Sequence, residues 1–149
     1  MTALAPDHAA DLRVIVAGYG PVGRAAAELL AQAGAHVTIV DLNPTTIERQ
    51  QQLNRRCVYG DIADEATLHE AGIEQAAALI LTVPDEDRAL RACAVARRLN
   101  PRIFIAARTN FLSKGLLATQ AGADEVIVEE VVTAEAMKQA VLRRVLNGR

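Results

Sequence analysis

The chain has 149 residues, a net charge of −2 and a hydrophobic fraction of 51%. This length suits one domain with a buried core. The 16 Lys and Arg residues are scattered rather than massed into a run, which argues against a nucleic-acid partner. No apolar run is long enough to cross a membrane, and the first residues lack the basic and apolar regions of a signal peptide. We therefore expect a cytoplasmic protein, with residues 1–11 as a flexible tail and residues 12–149 as one folded domain.

The number and spacing of the cysteines and histidines argue against a disulfide-stabilised protein and against a zinc protein. Cys57 and Cys93 are too few and too far apart for a disulfide framework or a zinc site. They fit a reducing compartment, and we expect both thiols to lie in the core. The three histidines show no metal-ligand spacing. No metal site is therefore expected.

The first predicted elements are a strand, a glycine-rich turn and a helix. Residues 12–17 are apolar and rich in β-branched side chains, as in a buried strand. Residues 18–23 read Gly-Tyr-Gly-Pro-Val-Gly, a complete G-x-G-x-x-G motif. Gly18 permits the tight turn, Gly20 lets a phosphate approach the backbone, and Gly23 lets the helix pack close to the sheet.

The helix that follows the glycine motif supplies the groups that can bind a phosphate. Its amino terminus offers unpaired N–H groups and a partial positive charge to phosphates, and Pro21 is tolerated there because its missing N–H has no intrahelical partner. Gly34 ends the helix. Its apolar residues recur at helical spacing on one face: Val22, Ala26, Leu29, Leu30 and Ala33. The alternative is a glycine turn in a nucleotide-type fold that has lost its ligand.

Asp41 ends the second predicted strand, at residues 36–41. It lies 21 residues after Gly20, where an acidic side chain accepts hydrogen bonds from a ribose. An acid at this position disfavours NADP, because it repels a 2′-phosphate and no Arg follows directly. The alternative is an acid that only caps the end of a strand.

The remaining patterns predict alternating helices and strands. Asn43 and Pro44 suit the N-cap and first position of a helix, and Pro84 and Asp85 begin a later one that Asn100 ends. The expected elements are a helix to about residue 54, a strand at 57–60, a helix at 64–71, a strand at 77–83, a helix at 84–100, a strand at 103–107, a helix at 110–121 closed by Gly122, a strand at 125–128, and a last helix from Thr133 to about Leu146.

This alternation predicts an α/β fold with a Rossmann-type, doubly wound parallel sheet of six strands and helices on both faces. Right-handed crossovers give the strand order 3-2-1-4-5-6. Ligands of such sheets bind at the carboxyl ends of the strands, where the order switches between strands 1 and 4. The glycine motif, Asp41, Asp61 and residues 82–84 are therefore expected around one crevice.

Three further charged groups allow two interpretations each. Asp61, after the third strand, is placed to accept a hydrogen bond from an adenine amino group, or it is a solvated loop acid. Arg108, after the fifth strand, is placed to reach phosphates or a dimer partner, or it forms a surface ion pair. The acidic run at residues 85–87 resembles a carboxylate pair for acid–base chemistry, but at a helix start it is better explained by the helix dipole.

The chain also lacks what a dehydrogenase needs. Hydride transfer requires a second region that holds substrate beside the nicotinamide and supplies an acid or base. No catalytic constellation remains once the sheet residues are assigned. A nucleotide-binding fold without such chemistry is typical of a sensor, whose ligand shifts a conformational equilibrium. The alternative is a small NAD-dependent oxidoreductase subunit that works with a partner chain.

Several segments together resemble the RCK domains, also called KTN or Trk-N domains. The resemblance rests on GYGPVGR, VTIVDLNP, YGDIADEATLHEAGIEQ, LILTVPDEDRAL, IAARTN and AGADEVIVEE, and it covers nearly the whole chain. It is strongest to the cytosolic domains of Kef-type potassium/proton antiporters. Such domains bind NAD(H), AMP, ADP or ATP and regulate cation flux through a membrane protein, so the resemblance implies a nucleotide sensor attached to, or associated with, a potassium transporter.

The resemblance also implies roles for individual residues. It places Gly18, Tyr19, Gly20, Pro21 and Val22 at the phosphates, Asp41 at the ribose with Leu42 beside it, Asp61 and Ile62 at adenine, and Thr82, Val83 and Pro84 on the far side of the ligand. Many relatives carry an Arg at the position of Pro21 that meets terminal phosphates, so ATP is disfavoured relative to NAD(H), AMP or ADP. The terminal helix, as in that family, is expected to form a homodimer through its broad apolar surface.

Overall fold

A computed structural model describes residues 10–148 of the chain; residues 1–9 of the predicted tail, and Arg149, lie outside the described part. The elements are β1 (Arg13–Ala17), α1 (Pro21–Gln32), β2 (His36–Asp41), α2 (Pro44–Gln52), β3 (Arg56–Tyr59), α3 (Glu65–Glu70), a 3₁₀ turn (Ile73–Gln75), β4 (Ala78–Leu81), α4 (Glu86–Leu99), β5 (Phe104–Thr109), α5 (Leu112–Ala121), β6 (Glu125–Val128) and α6 (Glu129–Val141), which continues as a π-helical turn (Leu142–Leu146).

The six strands form one parallel sheet in the order β3-β2-β1-β4-β5-β6, which confirms the predicted topology. β1 is central: Val14 pairs with Val37 of β2 on one side and with Ala78 of β4 on the other. Residues 14–17 are at most 3% exposed, because helices cover both faces of the sheet. The order therefore switches between β1 and β4, beside the glycine motif.

Alternate residues of β1 divide the core between the two faces. Ile15 and Ala17 belong to the larger apolar cluster, which includes Leu68 of α3 and Ala92 of α4. Val14 and Val16 form a smaller cluster with Ala27 of α1, and Leu30 and Tyr19 pack against it. The two-residue repeat of a strand produces this division.

The packed face of α1 differs from the expected one. The buried residues of the helix are Gly23 and Ala27, whereas Val22 is 44% and Leu29 is 69% exposed. Small residues face the sheet because the helix lies very close to the turn that precedes it. Val22 and Leu29 consequently point away from the core, whereas Leu30 packs against the smaller cluster.

Local signals for helix ends are confirmed. Gly34 and Gly122 follow α1 and α5 with φ of +91° and +117°, a conformation that favours glycine. The Asn43 side chain accepts a hydrogen bond from the N–H of Thr45 at 3.0 Å, and Pro44 occupies the first helical position.

The two cysteines differ in burial. Cys93 lies in the larger cluster, and burial raises the pKa of its thiol to about 11. Cys57 is only half-buried, and it lies on β3, an edge strand of the sheet. The expectation of two core thiols is wrong for Cys57.

The terminal helix departs most from expectation. It begins at Glu129 rather than Thr133, directly after β6, and none of its residues is buried. The helix leaves Ile127 of β6 46% exposed, and Met137 of α6 is itself 64% exposed. Within residues 10–148, no helix combines the length and the apolar character needed to span a membrane.

Candidate functional site

The carboxyl ends of β1 and β4 meet around the glycine motif. Gly18 has φ of +90°, and a Cβ there would lie 2.9 Å from the carbonyl carbon of Thr82. A Cβ on Gly23 would lie 1.9 Å from the Gly18 carbonyl oxygen and 2.6 Å from Thr82 Oγ1. The Thr82 hydroxyl donates to the carbonyl oxygens of Ala17 and Gly18, at 3.0 and 2.9 Å. Two of the three motif glycines are therefore required by the packing of the protein itself.

Gly20 is different, since a Cβ there would meet no atom within 4 Å. It is the N-cap residue of α1 and, having no side chain, leaves the first amides of the helix uncapped. The first amides of a helix have no intrahelical acceptor, and Pro21 has no N–H to offer. The N–H groups of Val22 and Gly23 thus lack intrahelical acceptors at the positive end of the helix dipole, next to Gly20, which is an arrangement suited to a phosphate.

Asp41 is held in place by two backbone amides. Its Oδ2 accepts from the N–H of Tyr19 at 2.9 Å, and its Oδ1 accepts from the N–H of Asn43 at 2.8 Å. The carboxylate therefore joins the end of β2 to the glycine motif. Each oxygen keeps a second lone pair that can accept from a hydroxyl group.

The Tyr19 side chain points away from this edge of the sheet. It packs against the smaller apolar cluster, and its hydroxyl oxygen accepts a hydrogen bond from the guanidinium of Arg55. What Tyr19 presents to the crevice is its backbone.

A cavity of about 90 Å³ lies between the glycine motif and the ends of β2, β3 and β4. Its walls are Gly18, Val40, Asp41, Leu42, Gly60, Ile62, Val83, Pro84 and Arg88. Six of the predicted site residues are brought together here: Gly18, Asp41, Leu42, Ile62, Val83 and Pro84. The cavity is not lined by the other predicted site residues. Seven of them lie close in sequence to residues that line it: Tyr19, Gly20, Pro21, Val22, Gly23, Asp61 and Thr82. Arg108 is distant in sequence and bonds to the carbonyl oxygens of Thr82 and Val83.

Asp61 forms an ion pair with Arg88, which lines the cavity. Its Oδ2 lies 3.1 Å from Nε of Arg88, and its Oδ1 accepts from the N–H of Ala63 at 2.9 Å. Both groups are about one quarter to one third exposed. Asp61 is therefore oriented by the protein rather than freely solvated.

Arg108 connects β4 to the terminal helix. Its Nη2 donates to the carbonyl oxygens of Thr82 and Val83 at 3.1 and 3.2 Å, and its Nη1 lies 2.9 Å from Oε1 of Glu129. The side chain is 17% exposed, and its buried Nε has no partner among the described residues. Arg108 does form an ion pair, but a largely buried one that holds the end of β4.

Arg88 was missed by the sequence analysis. It lies one turn into α4, and its N–H donates to the side chain of Asp85, the N-cap, at 3.0 Å. This N–H holds the pKa of Asp85 below its usual value. The signal that indicates Arg88 is its spacing of three residues from the N-cap, which turns it toward the carboxyl edge of the sheet.

The acidic run at residues 85–87 has structural partners at each position. Asp85 caps α4, Glu86 accepts from the N–H of Asn110, and Asp87 lies 3.0 Å from Nζ of Lys114. Helix capping and ion pairing account for these carboxylates. No group of three or more His, Cys, Asp or Glu residues within the described part of the chain is arranged to hold a metal ion.

A parallel sheet of this order, with a glycine turn and a helix start at its switch point, defines a Rossmann-type nucleotide-binding fold. The TrkA-N domain family matches residues 14–129. The chain belongs to this family.

Two curated relatives connect the chain to cation transport proteins. The putative cation/proton antiporter YbaL of Escherichia coli is 31% identical over 123 residues, which are 83% of this chain and 22% of the relative. The glutathione-regulated potassium-efflux system protein KefC of Cronobacter sakazakii is 30% identical over 110 residues, 74% of this chain and 18% of the relative. The chain thus spans about one fifth of the length of these relatives.

Solved structures show the same fold. The TrkA-N domain of the inner membrane protein YbaL from Escherichia coli superposes with a TM-score of 0.83 at 29% identity, covering 88% of this chain and 96% of that one. The AMP-bound Kef C-terminal domain of Shewanella denitrificans has a TM-score of 0.74 at 28% identity, covering 86% and 81%. The GsuK channel bound to NAD has a TM-score of 0.76 at 28% identity, covering 89% and 23%.

The glycine geometry predicts losses of stability of different size for two matched substitutions. Gly23→Ala places a methyl group 1.9 Å from the Gly18 carbonyl oxygen, so overpacking should lower the free energy of unfolding by about 1–3 kcal/mol or more. Gly20→Ala meets no protein atom and should cost less than about 1 kcal/mol. Urea denaturation of both variants measures the difference. Equal losses of stability would contradict this account of the turn.

Proposed function

We propose that the chain is a nucleotide-sensing regulatory domain of a potassium transport system, which binds NAD(H), AMP or ADP and gates a membrane antiporter or channel. The observation that carries the proposal is the open space at Gly20, at the start of α1, together with the carboxylate of Asp41, which accepts from the amide of the neighbouring Tyr19. Family membership supports it, as do the AMP-bound and NAD-bound structures of similar proteins.

In this proposal the phosphates lie at the start of α1. They accept hydrogen bonds from the N–H groups of Val22 and Gly23, beside the Cβ-free surface of Gly20. The ribose hydroxyls donate to Asp41, whose carboxylate is oriented by two amides. The base enters the cavity toward Ile62 and Asp61, with Leu42, Val83 and Pro84 around it.

Two residues set the choice of nucleotide. The negative charge of Asp41 repels a 2′-phosphate and so disfavours NADP. Pro21 contributes neither an N–H nor a cationic side chain, so nothing at that position neutralises the γ-phosphate of ATP. NAD(H), AMP and ADP remain the favoured ligands.

The partner in this proposal is a membrane potassium transporter, in the same polypeptide or as a separate subunit. The relatives named above are antiporter and efflux-system proteins several times longer than this chain. The domain would then lie at the cytoplasmic face of the membrane, where its nucleotide state reaches the transporter by a population shift.

The ligand preference is tested by thermal unfolding with each nucleotide. AMP, ADP or NAD(H) should stabilise the fold more than NADP, and a ligand at 100 times its Kd should add about 2.7 kcal/mol. Asp41→Asn removes the charge while keeping the size, and it should abolish the preference for NAD(H) over NADP.

The control is Glu48→Gln, which removes an exposed carboxylate of α2. This variant should keep the preference of the parent chain. A larger stabilisation by NADP than by NAD(H) in the parent chain would contradict the role of Asp41.

A regulatory domain should not turn over its ligand. The purified chain should show no steady oxidation of NADH with ketones, aldehydes or hydroxy acids as second substrate, measured by nicotinamide absorbance. The alternative function, an NAD-dependent oxidoreductase subunit, would be favoured by a steady absorbance loss with saturable dependence on one of these compounds, alone or with a partner chain.

We also propose that the domain is a homodimer through α6. None of the 13 residues of this helix is buried, and its first residue is joined to the nucleotide crevice through Arg108. The apolar side chains of the helix and its π-helical extension are Val131, Val132, Met137, Val141, Leu142, Val145 and Leu146, each at least 40% exposed. An apolar surface of this kind favours association.

Val141→Glu should disrupt this interface, because it would place an unpaired charge among apolar side chains. Sedimentation velocity at high micromolar concentration should show a dimer for the parent chain and a monomer for the variant. Gln139→Glu is the comparison: it adds the same charge about 200° around the helix from residue 141, at the margin near Val132, and should weaken the dimer less than Val141→Glu does. A parent chain that stays monomeric would contradict the proposal.

A further inference from the structure

A second, larger cavity lies at the opposite edge of the sheet from the nucleotide crevice. Its volume is about 410 Å³, compared with about 90 Å³ for the cavity at the crevice. It opens at the amino ends of β1, β2 and β3, beside α1 and the segment that follows α2. None of the predicted site residues lines it.

The space exists because its walls are built from small residues. On the α1 side the wall is formed by Ala27, Ala31 and Ala35. α2 ends at Gln52, and Asn54 then adopts φ of +60°, a left-handed conformation that Asn tolerates at the end of a helix. This turn directs the chain back so that Arg55 lies at the wall of the cavity. Val37 and Ile39 of β2 provide apolar surface inside it.

The charge around the cavity is entirely positive. Arg13, Arg55 and Arg56 line it together with His36, and none of its lining residues is Asp or Glu. No ion pair between these arginines and a carboxylate occurs in residues 10–148. Arg13 and Arg56 share one face of the sheet with Ile15, whereas Arg55 bonds to Tyr19 of the other face, so the three arginines line the cavity from both faces of the sheet edge. They do so in a chain whose net charge is −2.

The hydrogen bonds that these arginines do make go to neutral acceptors. Arg55 donates to the Tyr19 hydroxyl and to Oε1 of Gln50, and Arg56 donates to the carbonyl oxygen of Glu70 at 3.1 Å. No side-chain hydrogen bond of Arg13 occurs within the described part of the chain. The positive charges are therefore available to an anion, which binds arginine more strongly than a neutral acceptor does.

We propose that this cavity is a second ligand site, distinct from the nucleotide crevice, for a small organic anion. A phosphate or carboxylate group would lie at the arginines, and an apolar portion would pack against Val37, Ile39 and the alanines of α1. The proposal goes beyond nucleotide sensing and does not depend on it. Arg55 brings this site next to the glycine turn, because its guanidinium also bonds to Tyr19.

The test is a titration of the full chain, followed by amide NMR shifts, with phenyl phosphate, inorganic phosphate and phenol at constant ionic strength. Phenyl phosphate should bind saturably and at least tenfold more tightly than either fragment. The affected amides should be those of Ala31, Ala35, Asn54 and Gly72, and they should respond equally when AMP is present at saturation.

Two variants and a control identify the charges involved. Arg13→Gln with Arg56→Gln should weaken phenyl phosphate at least tenfold, and Arg13→Gln alone, which removes no described hydrogen bond, should weaken it severalfold. Arg91→Gln removes an exposed arginine of α4 away from the cavity and should change nothing.

Three results would overturn the proposal. Shifts confined to residues 18–23 and abolished by AMP would mean that phenyl phosphate binds only in the crevice. Equal affinity for inorganic phosphate would indicate an adventitious ion only, and shifts that never saturate would exclude a site. AMP binding is measured in the same samples, so the two proposals are tested separately. Binding of AMP without binding of phenyl phosphate would contradict only the second site. Binding of phenyl phosphate without binding of AMP would contradict only the nucleotide proposal.

Discussion

The close contact of α1 with the ends of β1 and β4 is the constraint on which the crevice depends. A Cβ at Gly23 would lie only 1.9 Å from the Gly18 carbonyl oxygen, so no other residue fits without displacing the helix. The Thr82 hydroxyl bonds to the carbonyls of Ala17 and Gly18 from the other side. Helix, turn and strand are thereby held as one unit, and the helix start faces the space at Gly20. Such preorganisation lets a ligand bind without paying for the ordering of the turn.

Two charged side chains extend this unit in opposite directions. Asp41 joins it to β2 through the amide of Tyr19, so the carboxylate that suits a ribose also orders the turn. Arg108 joins β4 to Glu129 at the start of α6. A continuous set of hydrogen bonds therefore runs from the glycine turn through Thr82 and Arg108 to the terminal helix. A ligand that altered the turn would have a short physical route to that helix.

Sequence patterns predicted the strand order, the cap at Asn43 and the helix end at Gly34, because each has a local cause in propensity or backbone conformation. These patterns failed where contacts between distant segments determine which residues are buried and where a helix begins. The packed face of α1 follows from the need for small residues beside the turn, which periodicity does not measure. The early start of α6 follows from a hydrogen bond between the Glu130 N–H and the Asn110 carbonyl oxygen, and the position of Arg88 at the crevice depends on its ion pair with Asp61, which follows β3. Both depend on segments distant in sequence.

The exposure of α6 has a consequence for cooperativity. Isolated helices shorter than about 12–15 residues are marginal in water, and the 13 residues of α6 bury none of their side chains. Its contacts to the rest of the domain are concentrated at the first turn, through Arg108 and the Asn110 carbonyl oxygen. Amide hydrogens in its later turns would then exchange with solvent by local fraying, well before the sheet opens. Any surface that binds the folded helix would suppress this fraying, because its binding free energy would add to the stability of the helix. The stability of this one element would then depend on the concentration of the molecule that covers it.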